Sequence, residues 1–461
     1  MRKEKDSMGY VEVPDDAYYG AQTKRASDNF PISDTTLPSE IIYAIAIIKR
    51  SAAIVNHSLG KIDLEIKDAI VSASDEILNK KFDDNFIIDI YQTGSGTSTN
   101  MNVNEVIANR ANEILGSKLG SNTPVHPNDH VNMGQSSNDV IPSSIHIAAK
   151  IAICQKLIPS LTSISSELDK KTKEFNSIIK IGRTHLQDAT PIRLGQEFSG
   201  YAASVLNGAS RVFKSITSIS DIAQGGTAVG TGINTHPKFG SMMAEEISRY
   251  TKIEFKETPN HFEAQANQEA AVEVSGALKT IAISMSKIAS DIRLMGMGPR
   301  CGLGELILPP VQPGSSIMPG KVNPVICESM LQVSAQVIAN DLAITLGSQG
   351  GAFELNVMLP LIANNLIQSI KILSNAITMF NDKLLKGLKV DKKKCEDYIE
   401  KSLSMCTILV PVIGYDKTAQ IAYEAYETGE TIRELLLKKN ILSDMEIEKL
   451  LDPSKMTQSS K

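Results

Sequence analysis

The apolar positions of this 461-residue chain recur mostly at helical steps. Over residues 38–59, Ile42, Ile45, Ile48, Ala52 and Val55 follow at three- and four-residue intervals, which predicts a helix with one buried face. Residues 64–79 predict a second. The clearest pattern covers residues 267–297, where Val274, Leu278, Ile281, Met285, Ile288, Ile292 and Met295 keep the same step. At 1.5 Å per residue that helix would be roughly 45 Å long. Residues 142–179, with one internal Pro at 159, and residues 195–223, 240–250, 328–346 and 364–388 are also helical in pattern. From about Lys394 the helices shorten and end in a polar tail expected to fray. The first ~35 residues show no long period and read as an irregular arm. Long helices with few strands between them predict an all-α dominated fold, a long-helix bundle. The expected division is an N-terminal domain at 1–139, a central long-helix bundle domain at 140–393 and a small C-terminal helical domain at 394–461.

Four polar islands interrupt the helical pattern. Residues 92–104 read QTGSGTSTNMNVN, and residues 126–139 read HPNDHVNMGQSSND. Residues 182–188 open a longer break, GRTHLQDATPIRLGQ, and residues 313–328 read PGSSIMPGKVNPVICE. In the last island the breakers Pro313, Gly314, Pro319, Gly320 and Pro324 lie too close for a helix or strand to pass through. Such a loop is either a surface linker or a ring of donors around an anion, with Lys321 supplying charge and Ser315, Ser316 and Asn323 supplying hydrogen bonds. The first two islands read equally as helix N-caps and as anion sites at helix N-termini. His185 is either a histidine satisfied by one hydrogen bond or a group that moves protons near neutral pH.

Several chemistries are excluded. Between Gly314 and Gly320 there are five residues rather than four, and Val322 rather than Ser or Thr follows Lys321, so this is no phosphate-binding P-loop. Gly94 and Gly96 lack the third glycine of a dinucleotide fingerprint, whose place is taken by Thr99. No HExxH zinc motif and no glycosidase-like carboxylate pair occurs. What remains is an inventory of neutral donors, one cation and a histidine, which suits a small dicarboxylate.

Composition narrows the setting. A formal charge of -5 with no basic cluster argues against a nucleic-acid partner. The five cysteines are scattered, odd in number and without a CxxC, which fits a reducing compartment and neither a disulfide framework nor a metal cluster. The segment MRKEKDSMGY has no apolar signal region, and apolar runs such as 41–48 are too short to span a bilayer. A cytoplasmic protein with no membrane partner is expected.

The loop GSSIMPGKVNP resembles the signature loop of the aspartase/fumarase superfamily, and the likeness runs from KDSMG at 5–9 to GYDK at 414–417. Within it, TGSGTSTNMNVNEVIANRA, QSSND, GRTHLQDATP, GTGINTHP and FELNV are similar to the class II fumarate hydratases, with the aspartate ammonia-lyases as near relatives. The resemblance implies reversible anti elimination of water from (S)-malate to fumarate through an aci-carboxylate carbanion, without metal or organic cofactor. It implies Ser315 as the base, His185 as the group handling the leaving hydroxyl, Glu328 as its orienting partner and Lys321 as a stabilising cation. Ser95, Gly96, Thr97, Ser136, Ser137, Asn138, Thr184, Ser316, Lys321, Val322 and Asn323 would bind the substrate. His126, Pro127, Asn128 and Asp129 resemble a secondary carboxylate site, but the basic residue usual three positions before the His is Thr123 here. The His usual in the PHIGYDK motif is Val412 here. A homotetramer with a twenty-helix core is implied, each site drawing on three subunits. The alternatives are an aspartate ammonia-lyase and a catalytically silent helical scaffold.

Overall fold

In the computed structural model, which describes residues 1–459, the chain opens with a β-hairpin, β1 (Arg2–Asp6) and β2 (Gly9–Val13), and a helix, α1 (Ala21–Asn29). This corrects the irregular arm expected there. The strand RKEKD has no apolar alternation to betray it; Arg2 holds the hairpin instead, donating to the carbonyls of Pro14 at 2.6 Å and Tyr19 at 2.9 Å. Then come α2 (Ser39–Ser58), α3 (Leu64–Leu78), α4 (Thr97–Ile114), α5 (Ser137–Ala152) and α6 (Ile158–Glu174). A second hairpin, β3 (Ile179–Thr184) and β4 (Gln187–Arg193), precedes α7 (Leu194–Ser215), α8 (Phe239–Thr251) and α9 (His261–Ala266). The longest helices are α10 (Glu269–Met295), α11 (Val325–Ser348) and α12 (Leu359–Lys383), and shorter ones follow from Lys392. Strands form five two-stranded ladders among the described residues, so the fold is dominated by helices as expected. The last two residues of the expected C-terminal domain, Ser460 and Lys461, lie outside the described residues.

Helix ends follow local capping. α5 begins at Ser137 rather than near 140–142, because Ser136 and Asp139 close a capping box around its first turn and Pro142 is carried inside the helix. The run Ser137–Glu174 is long and apolar enough to cross a membrane by length and composition, contrary to the expectation that every apolar run is too short; 56% of its most apolar window is buried inside the protein, as in a core helix.

The chain divides into two units. The first comprises Met1–Pro159, Ala209–Ala282 and Ser334–Ser374. At its centre α2 packs against α3, α4, α5 and α8, and Ile41, Ile45 and Ile48 on successive turns are fully buried. Each such side chain contributes about 1.5–3 kcal/mol of transfer free energy. One charged residue of α2 is buried with them: Lys49, with no exposure at all. The second unit comprises Ser160–Gly208, Ile283–Val333 and Asn375–Lys461. Here Ile181 of β3 enters an apolar cluster with Ile399, Met405, Leu409, Leu435 and Leu436, so the second hairpin is seated on the C-terminal helices.

Candidate active site

In the first unit, residues 93–97 form a tight turn into α4. A Cβ on Gly94 would lie 2.0 Å from the Val357 carbonyl oxygen, and Gly96, the N-cap, has φ 72°, so both positions require glycine. The turn delivers Thr97, whose hydroxyl lies 2.8 Å from Ser95 Oγ and 2.7 Å from Ser137 Oγ. This chain of hydroxyls joins the first turns of α4 and α5. Both helix starts open on a cavity of about 370 Å³ lined by Thr97, Asn100, Asn132, Gln135, Ser136 and Ser137, with Thr227 and Ala228 from a neighbouring turn. Asn138 spans to that turn, donating to the Ala228 carbonyl at 2.8 Å. Two helix N-termini with hydroxyl and amide side chains can receive an anion without formal charge on the walls.

Behind the wall lies a buried polar network. Lys49 Nζ donates to Asn132 Oδ1 at 2.8 Å and Gln135 Oε1 at 3.0 Å, and Asn100 and Asn104 also donate to Asn132 Oδ1. Asp139, fully buried, accepts the Ser136 and Thr227 N–H groups, each at 2.9 Å. Burial drives Lys49 down to about 7, opposed by the charge of Asp139. Burial likewise pushes Asp139 up to about 7, opposed chiefly by its backbone hydrogen bonds.

In the second unit, His185 and Leu186 form the two-residue turn between β3 and β4, closed by the Thr184–Gln187 pair. Both have positive φ, 55° and 60°. Such turns favour Asn-Gly or Asp-Gly, and each left-handed non-glycine residue costs about 1–2 kcal/mol. Strain of this kind persists where the surroundings over-determine it, commonly at functional sites. The tip is exposed, with Thr184, His185 and Leu186 all open to solvent in the single chain.

The loop after residue 312 closes on itself. A Cβ on Gly314 would meet the Lys321 carbonyl oxygen at 2.1 Å, and Asn323 Nδ2 donates to the Gly314 carbonyl. Inside this ring Ser315 Oγ accepts the N–H groups of Ile317 at 3.2 Å and Met318 at 2.9 Å. Two N–H groups aimed at one hydroxyl oxygen favour its ionised form. The ring borders a cavity of about 410 Å³ lined in part by Ser315, Lys321 and Val322. Ser316 and Lys321 are exposed, and Glu328 is exposed in the first turn of α11. No hydrogen bond or ion pair joins His185 to Glu328 among the described residues.

A family described as Lyase matches residues 9–339, and a second, described as Fumarase C C-terminus, matches residues 405–458. The chain is 48% identical over 455 residues to a Fumarate hydratase class II of Neisseria meningitidis, covering 99% of this chain and 98% of that protein. It is 49% identical to a mitochondrial Fumarate hydratase of Saccharomyces cerevisiae, covering 99% of this chain and 94% of that one. The crystal structure of recombinant class II fumarase from Schistosoma mansoni superimposes with a TM-score of 0.95 at 39% identity, covering 99% and 98% of the two chains. The chain belongs to the class II fumarate hydratase family.

Within the chain the sequence-derived residues fall into two sets. Ser95, Gly96, Thr97, Ser136, Ser137 and Asn138 gather in the first unit; Thr184, His185, Ser315, Ser316, Lys321, Val322, Asn323 and Glu328 lie in the second. In the 126–129 segment, His126 Nδ1 accepts the N–H groups of Asn128 at 3.2 Å and Asp129 at 3.3 Å, capping the turn Pro127–Val131. The structure offers no reason for Val412, which is half-exposed. Sequence reasoning missed Lys49, Asn100, Asn132, Gln135, Asp139 and Thr227. Lys49 carried a usable signal, a lysine inside an apolar helical stripe, where charged residues are almost never fully buried unless paired.

Proposed function

We propose that this chain is a fumarate hydratase, a hydro-lyase that interconverts (S)-malate and fumarate by anti elimination of water through an aci-carboxylate carbanion. The observation that carries the reading is the ring around Ser315, whose oxygen receives two backbone N–H groups within a chain matched end to end by class II fumarate hydratases. Ser315, as its oxyanion, removes the C3 proton of malate. His185, with Thr184 beside it, acts through water on the leaving hydroxyl, and Glu328 orients it. Ser316, Lys321, Val322 and Asn323 hold one end of the substrate; Ser95, Gly96, Thr97, Ser136, Ser137 and Asn138 hold the other.

The proton removed sits next to a carboxylate and is barely acidic, so the intermediate carries one charge more than the substrate. Each donor aimed at that charge is worth roughly 2.7–4 kcal/mol, and several must converge. We place the active form as a homotetramer in the cytoplasm, without metal or organic cofactor, at the hydration step of the tricarboxylic acid cycle. Each site there is built by three subunits around a core of twenty helices. The three-part division at 1–139, 140–393 and 394–461 belongs to the same proposal. All five cysteines are free, in keeping with a reducing compartment. Nothing here singles out the 126–129 segment as a binding site, since Thr123 supplies no cation and the His126 nitrogen facing the turn is already engaged.

The test is to supply malate and aspartate separately and follow fumarate by ultraviolet absorbance. Malate should yield fumarate and aspartate should not; fumarate from aspartate alone would make the enzyme an aspartate ammonia-lyase. Light scattering under assay conditions tests the shared sites, because an active monomer is incompatible with them.

A further inference from the structure

The hairpin that carries His185 contains a charge cluster to which no role has been given. Strand residues three apart project from opposite faces, so Lys180 and Arg183 of a regular β3 would point away from each other. They do not. The pairing shifts register between Ile181 and Arg183, where two β4 residues, Ala189 and Thr190, stand opposite Gly182 alone; a Cβ on Gly182 would lie 2.8 Å from the Thr190 carbonyl oxygen. At this irregularity both cations meet one carboxylate. Glu305 Oε2 lies 3.2 Å from Lys180 Nζ, and Glu305 Oε1 lies 2.8 Å from an Arg183 guanidinium nitrogen. Glu305 has no exposure, Lys180 is 2% exposed, and Lys180 also meets Glu197 at 3.0 Å.

Glu305 is itself fixed. Its carbonyl accepts the Asp391 N–H at 2.9 Å, and the next two residues pair with Lys389 and Val390. The Arg183 guanidinium lies over the Tyr398 ring, whose hydroxyl donates to the Leu303 carbonyl at 2.9 Å. One rigid carboxylate thus holds β3 on both sides of Gly182, the residue that faces the β4 bulge, and two residues beyond Arg183 the chain enters the left-handed turn His185–Leu186. A turn of non-glycine residues in that conformation needs support from outside itself. Bulges next to active sites re-aim side chains.

We propose that Glu305 is a positioning residue of the reaction: by bridging Lys180 and Arg183 across the bulge it aims the tip that presents His185. The inference rests on the assignment of His185 to the leaving hydroxyl. Glu305→Gln keeps the side-chain shape and weakens both contacts. It should lower kcat by about ten- to a hundredfold, as displacement of a catalytic group does, with KM for malate within about twofold. Lys180→Met/Arg183→Met/Glu305→Met replaces both cations and the carboxylate that bridges them by apolar side chains and should restore the melting temperature toward wild type, while kcat stays low. Wild-type kcat in Glu305→Gln, or kcat that recovers together with the melting temperature in the triple variant, overturns the proposal. Hydrogen exchange at residues 184–187 separates this failure from that of the assigned function. If wild-type enzyme does not interconvert malate and fumarate, the functional reading falls. The aiming role still stands on faster exchange at the tip in Glu305→Gln and is refuted by unchanged exchange.

Discussion

Removing the Asp139 carboxylate should loosen the first unit's cavity and destabilise the fold together. The side chain is fully buried, and its two oxygens accept one N–H from Ser136 and one from Thr227. In Asp139→Ala both donors lose their partner. A buried orphan N–H costs about 1–3 kcal/mol; that applies in full to Thr227, and the half-buried Ser136 N–H adds the loss of a helix cap, about 0.5–2 kcal/mol. The expected destabilisation is therefore about 2–4 kcal/mol, read by urea unfolding at fixed protein concentration. Because Thr227 and Ala228 line the cavity, KM for malate should rise about tenfold with a smaller change in kcat, the pattern of lost binding rather than lost chemistry.

Asp139→Asn keeps one carbonyl acceptor and should lose about half as much stability. Its cost should also depend on pH. Burial raises the folded carboxyl to about 7 from the model-peptide value of 3.8, so the native state holds a proton that the unfolded chain has released. Wild-type stability from this group is then full below pH 3.8 and declines as pH climbs to about 7. Asparagine does not titrate, so Asp139→Asn should cost more at pH 5 than at pH 7. Asp139→Ala within about 1 kcal/mol of wild type and with unchanged KM, a ΔΔG typical of peripheral sites, would refute the reading of this residue as the tie between α5 and the 225–228 turn.

Three further outcomes are expected. Ser315→Ala should fold normally and lose about 10²–10⁴-fold in kcat, the usual contribution of a general base; full activity in a malate assay would remove Ser315 from the mechanism. Gly314→Ala places a methyl group 2.1 Å from the Lys321 carbonyl oxygen, so the ring must open; kcat/KM should fall about 100-fold with little change in melting temperature, and a wild-type value would show the ring to be irrelevant. Lys49 has its folded value driven down to about 7 from 10.5, so the unfolded chain binds the extra proton between those limits and wild-type stability rises with pH across that window; Lys49→Met should flatten the rise in urea titrations, and an unaltered slope would contradict it.

The long helices were legible because each buries a face along its whole length. The 38–59 and 267–297 patterns return as Ser39–Ser58 and Glu269–Met295, with ends moved by one or two residues. The two hairpins were not legible, for different reasons. β1 is charged at every position and offers no alternation. The β3–β4 turn is His-Leu, without the Gly or Asn that marks a two-residue hairpin. Side chains such as Asn132 and Gln135 were missed because their significance comes from Lys49, more than eighty positions away in the chain.

The polar islands were legible as chemistry but not as geometry, and the geometry explains their composition. None of the residues lining the first unit's cavity carries a formal charge. Arginines on those walls would bind a dicarboxylate substrate nearly as tightly as an intermediate bearing one more charge, and binding both alike accelerates nothing. On the proposed assignment, helix N-termini, hydroxyls and amides would hold a carboxylate at a fixed distance with modest affinity. That would leave the pre-aimed donors of the Ser315 ring to act where charge grows during the reaction. A site built this way has no dense basic motif to announce it. It shows in the chain as scattered runs of Ser, Thr and Asn, each individually indistinguishable from a helix cap, and their meaning appears only when the second set, with its strained histidine turn and its ring-closed serine, is considered beside the first.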